Sequence, residues 1–211
     1  MASRSFEPGA FEFFDELARN NYREWFQAHR ADYERLVREP LERIAARAQE
    51  AYGPAHVMRP NRDIRFSADK SPYKANAAMS AGRSAAVYLS VSGSGIEVGG
   101  GLYQPTRDQL AKARAAIADD GVPARELAAI VADLTAAGFE LAGPPLKTAP
   151  RGFDRDHRHI DLLRLTHYAA LRSLPRDATD RMIDDAWQQV APLIAWADAH
   201  AGVARDDPAR R

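Results

Sequence analysis

The alternation Val87-Tyr88-Leu89-Ser90-Val91 runs into Ser92-Gly93-Ser94-Gly95 and then Ile96 to Leu102. It constrains the fold more than any other segment. Period-two patterning ended by a small, glycine-rich turn and followed by a second apolar run is the pattern of a β-hairpin. The flanking sequence obeys a different period. Phe11, Phe14, Leu17 and Ala18 in Gly9–Arg19 are helically spaced, as are Trp25, Phe26, His29, Tyr33, Leu36 and Val37. Asn21, with Glu24 three residues on, is the expected N-cap of that second helix, and Pro40 is expected to kink or break it. Helix resumes from Leu41 to Tyr52 and closes at Gly53-Pro54.

Asp63–Phe66 and Ala75–Ala81 read as further short strands. The run Gly99-Gly100-Gly101 in the returning hairpin arm predicts a bulge, or the close approach of a backbone or ligand. Downstream, Thr106 is placed to cap a helix over Arg107–Ala118, and a helix from Pro123 to Ala137 ends at Gly138. A short strand at Phe139–Leu141, a helix around Arg158–Leu165, a strand at His167–Leu174 and a last helix over Ala178–His200, with a kink at Pro192, complete the reading. Helices flank a block of hairpin-linked strands. The expected class is therefore α+β, a central, mainly antiparallel sheet between N-terminal and C-terminal helices, in a single domain over residues 1–211.

Composition removes whole classes of function. The chain has no cysteine, so thiolate zinc, Fe–S and cysteine-nucleophile chemistry is excluded. Its 29 basic and 29 acidic residues cancel, which argues against bulk nucleic-acid binding. No apolar run approaches the roughly 18–20 residues that span a bilayer, and the first residues lack the apolar core of a secretory signal. A cytoplasmic protein with no membrane partner is expected. The preference for Ala and Arg suggests a GC-rich bacterial source.

The densest chemistry lies in Arg62-Asp63-Ile64-Arg65-Phe66-Ser67-Ala68-Asp69-Lys70-Ser71-Pro72-Tyr73-Lys74. On a strand, Asp63 and Arg65 share one face while Ile64 and Phe66 turn to the core. Arg62, Arg65, Lys70 and Lys74 supply the forks and point charges that hold carboxylates and phosphates. Tyr73 either engages a ligand or packs in the core, and Asp69 suits an Asx-turn. A second cationic segment, Lys147 with Arg151-Gly152, is stiffened by Pro144, Pro145 and Pro150. If the two segments meet, their cations require Asp63, Asp69, Asp161 or a bound anion as partner. His157 and His159 among Asp154, Asp156 and Asp161 have a spacing that could hold a divalent metal, but Arg155 and Arg158 interleave. Helix capping by Asp156 is the simpler account, and no metal site is assigned.

Taken together, these pieces resemble the uncharacterised DUF2461 family. The matching residues are Asn20 to Phe26, Arg62 to Ser67 with Asp69 to Lys74, Gly99 to Tyr103, Leu146-Lys147, Pro150 to Phe153, Asp156-His157 and Asp161 to Arg164. Arg158 stands where proline often follows the Asp-His pair. The resemblance implies a soluble protein, mostly bacterial or fungal, and carries over no activity, cofactor or catalytic residue. The expected function is binding of a small anionic ligand (phosphate, nucleotide or carboxylate) between the 62–74 motif and the 147–152 loop. The ligand residues would be Arg62, Asp63, Arg65, Asp69, Lys70, Tyr73, Lys74, Lys147 and Arg151. Two alternatives stand beside it. One is an enzyme acting on a phosphorylated or carboxylated metabolite, with Asp63 or Asp69 as base and Arg65, Lys70 and Arg151 stabilising negative charge. The other is a protein-interaction or structural module. Cofactor, substrate, oligomeric state and strand order are left open at this level.

Overall fold

The computed structural model describes residues 3–63 and 70–202. The strands are β1 (Ala55–Val57), β2 (Asn76–Gly82), β3 (Ala86–Ser92), β4 (Gly95–Leu102), β5 (Glu140–Leu141) and β6 (Tyr168–Leu174). They form one six-stranded antiparallel sheet in the order β1-β2-β3-β4-β6-β5. The first four strands therefore lie beside their sequence neighbours. The last two are exchanged, with β6 next to β4 and the two-residue β5 at the edge. The α+β expectation holds. β1 is a strand the patterning missed, because three residues are too few to show a period.

The helices are α1 (Pro8–Arg19), α2 (Arg23–Ala28), α3 (Arg30–Tyr33), α4 (Glu39–Tyr52), α5 (Arg107–Ala118), α6 (Val122–Ala136), α7 (Ile160–Leu163) and α8 (Asp180–His200). Pro40 does not end the helical path. A π-helical turn, Glu34–Arg38, joins α3 to α4, and the Glu39 N–H reaches back five residues to the Glu34 carbonyl. Proline has no N–H to donate and its ring crowds the preceding turn. The wider π turn lets the helix pass it without ending. Thr106 caps α5 as expected, in a full capping box with Gln109. Gly138 follows α6 at φ +80°, the left-handed conformation of a C′ glycine.

The described residues gather into two compact units: 3–63, 70–82, 88–98 and 173–185 in the first, and 83–87, 99–172 and 186–202 in the second. In the first, Leu41, Ile44, Ala45 and Ala48 recur at helical spacing as the buried stripe of α4. Phe13, Phe26 and Tyr33 form an aromatic cluster, with ring centroids 5.2–6.2 Å apart. The N-terminal segment is pinned rather than loose. Ser5 N–H donates to the Ala178 carbonyl, Ser5 Oγ donates to Asp180, and Arg47 bridges Asp180 and Asp184. In the second unit, Ile117, Leu127, Leu163, Tyr168, Val190 and Leu193 are buried, and Trp196 Nε1 donates to the Pro123 carbonyl at 2.8 Å.

The Gly99-Gly100-Gly101 run is explained by backbone crowding. A methyl on Gly99 would overlap the Ala170 carbonyl of β6, one on Gly101 the Tyr168 carbonyl, and one on Gly100 would lie 2.7 Å from the Ala86 carbonyl of β3. Gly101 also has φ +124°. Of the two causes that strand glycines allow, neighbouring backbone accounts for all three.

Candidate functional site

The dense motif grows out of the first hairpin of the sheet. Val57 of β1 faces Met79 of β2, and the pairing continues past the strand ends. Met58 N–H donates to the Ala78 carbonyl, Lys74 N–H to Pro60 and Arg62 N–H to Pro72, each at 2.9 Å. Asn61 and Tyr73 form the next bridge. From Val57 to Asn61 is four steps along one strand, whereas Met79 to Tyr73 is six along the other. The register therefore slips by two, as at a β-bulge.

On this ribbon Asp63 and Lys70 are exposed and Arg62 is half-buried. All three, with Ser71, interact with other groups of the chain. Lys74 is half-buried and makes no salt bridge among the described residues. Arg65, Asp69 and the expected core pair Ile64 and Phe66 lie outside the described residues. Tyr73 is core: it is 5% exposed and stacks on Phe26 with centroids 3.9 Å apart and rings 11° from parallel. Asn21 holds its backbone from both sides, Nδ2 donating to the Tyr73 carbonyl and Oδ1 accepting the Tyr73 N–H. Asn21 is thus not the N-cap of α2. That position belongs to Tyr22, without a side-chain cap bond. An amide that imitates a strand neighbour satisfies two backbone groups, where an N-cap would satisfy one.

The second cationic segment is built around a residue not singled out by the sequence reading, Arg164. Its Nε donates to the Leu146 carbonyl and one terminal nitrogen donates to the Lys147 carbonyl at 2.9 Å, while Leu146 N–H donates back to the Arg164 carbonyl at 2.8 Å. Thr166 Oγ1 donates to the Pro144 carbonyl, and Phe153 N–H closes a turn onto Pro150. Pro150 is buried and Gly152 takes φ +89°. The result is a stiff loop with Lys147 and Arg151 both exposed. Neither makes a side-chain hydrogen bond or salt bridge among the described residues. The only signal for Arg164 was its place in the motif Asp161-Leu162-Leu163-Arg164. Nothing local marks a guanidinium that reaches 17 residues back.

His157 and His159 serve as fasteners. The His157 ring donates from Nε2 to the Ala118 carbonyl at 3.2 Å and accepts the His159 N–H at Nδ1, which is the geometry of the Nε2–H tautomer. His159 Nε2 bonds Asp120 Oδ1 at 2.8 Å, and Arg158 lies 3.4 Å from the other oxygen. Burial acts to raise the Asp120 carboxyl, but the His159 hydrogen bond and the Arg158 guanidinium outweigh it and hold it below its usual value. Both nitrogens of His157 are used within the chain. No group of three metal-ligating side chains gathers among the described residues. Asp156 does not cap a helix, since α7 starts at Ile160 with His159 at the N-cap. Asp154 accepts the Asp156 N–H at 2.9 Å and sets the turn instead.

A hollow of about 400 Å³ opens beside the N-terminal segment, lined by Arg4, Glu7, Pro40, Arg43 and Asp180 among others. None of the expected ligand residues lines it. Among the described residues, no helix is long and apolar enough to cross a membrane.

The family model of a conserved hypothetical protein, DUF2461, matches residues 9–196. That span takes in the Asn21 clasp, the ribbon, the glycine strand and the loop held by Arg164. No curated protein matches the chain.

Proposed function

The chain belongs to the conserved hypothetical protein family DUF2461, and from that premise we propose that it binds a small anionic ligand, a phosphate, a nucleotide or a carboxylate. Lys147 and Arg151 of the loop are its ligand residues. The observation that carries this reading is the pair Lys147 and Arg151, exposed and without carboxylate partners among the described residues, on a backbone fixed by Arg164 and by prolines. A loop backbone fixed before the ligand arrives loses little freedom on binding. The guanidinium of Arg151 adds a planar, two-pronged donor suited to phosphate or carboxylate oxygens.

Tyr73 serves packing, since its ring is buried against Phe26. The test is isothermal titration of the full chain with inorganic phosphate and with citrate. Lys147→Met/Arg151→Met should weaken binding roughly tenfold or more, because hydrogen bonds to charged groups contribute about 1.5–3 kcal/mol before solvent screening. Its thermal unfolding should be unchanged, because both residues are exposed. Undiminished affinity in the loop variant would overturn the assignment.

A further inference from the structure

We infer that the anion held by Lys147 and Arg151 is the phosphate of a nucleotide whose base stacks on Tyr103. This rests on the anion-binding reading above and narrows its ligand class. Tyr103 is 54% exposed, although large aromatic rings are normally buried. It is also held still. Its ring lies against His167 with centroids 5.1 Å apart and planes 13° from parallel, and His167 Nδ1 donates to the Tyr103 carbonyl. Behind that ring runs the start of the cationic loop. Gly143, at φ +70°, has no room for a side chain, because a methyl there would lie 2.5 Å from His167 Nε2. An exposed aromatic ring already ordered by a stacked neighbour is a platform for another flat ring, and bases bind proteins by such stacking with little dependence on their identity.

The loop then leads from the platform to the cations. Residues 143–147 run beside residues 164–167, joined by Thr166 Oγ1 to the Pro144 carbonyl, Leu146 N–H to the Arg164 carbonyl and Arg164 to the Lys147 carbonyl. Lys147 is four residues from Gly143, at most about 14 Å along an extended chain. A lysine within that reach of Gly143, which abuts the His167 ring, suits a base and a phosphate joined through a sugar. Inorganic phosphate would use only the charged end.

The experiment is calorimetric titration of the full-length protein with adenosine monophosphate, adenosine and inorganic phosphate. The nucleotide should bind at least roughly tenfold more tightly than phosphate, the gain that stacking of one base supplies. Tyr103→Ala should abolish that gain and leave phosphate affinity unchanged, while Tyr103→Phe should keep it. Equal affinity for nucleotide and phosphate, or a gain that survives Tyr103→Ala, overturns the inference and leaves anion binding standing. Binding of neither ligand overturns both.

Discussion

The side-chain amide of Asn21 grips the backbone of Tyr73 at both polar groups, donating to its carbonyl at 2.9 Å and accepting its N–H at 3.1 Å. Two segments 52 residues apart in sequence become one piece of structure through this contact and the Phe26–Tyr73 stack. Asn21→Ala leaves a partly buried donor and acceptor without partners, which costs about 1–3 kcal/mol. Asn21→Asp keeps the size but loses the donor and sets a carboxylate against the Tyr73 carbonyl, so it should also destabilise. Urea denaturation measures both, and an unshifted midpoint in Asn21→Ala would show that the clasp contributes nothing.

Gly99→Ala should be among the most damaging single-methyl additions in the second unit. The new carbon would meet the Ala170 carbonyl and the Leu171 Cα, both backbone, so no rotamer change relieves the overlap. Overpacking of this kind costs about 1–3 kcal/mol and more where the neighbour cannot yield. Gly138→Ala is the control: its added carbon meets nothing within 4 Å, and only the φ of +80° opposes it. Gly99→Ala should lose clearly more stability than this control in the same denaturation assay.

Burial pushes the phenols of Tyr33 and Tyr168 up to about 12, partly offset by Arg38 in the first case and Arg114 in the second. The unfolded phenol titrates near 10. The contribution to stability is therefore complete below pH ~10 and declines as pH rises toward 12, because only the unfolded chain can ionise there. Neither hydroxyl has a hydrogen-bond partner among the described residues. Tyr33→Phe and Tyr168→Phe should leave stability at pH 7 within about 0.5 kcal/mol or raise it, and should blunt the alkaline loss. A large loss at pH 7 would reveal a hydroxyl that is in fact satisfied.

Acid should act on the other fastener. The Asp120 carboxyl is held below its usual value, so its contribution is present above the unfolded value near pH 4 and is lost as pH falls through the folded one. Asp120→Asn removes that dependence. The stability difference between the two proteins should shrink below pH ~4. A difference constant from pH 7 to 3 would show that the carboxylate charge plays no part.

The sheet's hairpin, the capping of α5 by Thr106 and the end of α6 at Gly138 were readable because each depends on residues within a few positions of one another. The break expected at Pro40 does not occur, and the cause is not local. Local rules say that proline stops a helix, and the relief supplied by the Glu34–Arg38 π turn has no local signature. Asn21 misled more instructively, since its spacing to Glu24 fits a capping box while its amide is committed to a backbone 52 residues away. The cationic loop was visible as Lys147 and Arg151 between prolines, but the residue that shapes it, Arg164, was not.

Sequence alone determined the class of fold, the two cationic segments and the glycine strand, because period, turn chemistry and charge are properties of neighbours along the chain. Tertiary structure decided the exchange of β5 and β6 in the sheet, the burial of Tyr73 and the use of Asn21 and Arg164 as clasps. Each of these depends on which distant backbone a side chain finds beside it once the strands have paired, and no short-range pattern encodes that.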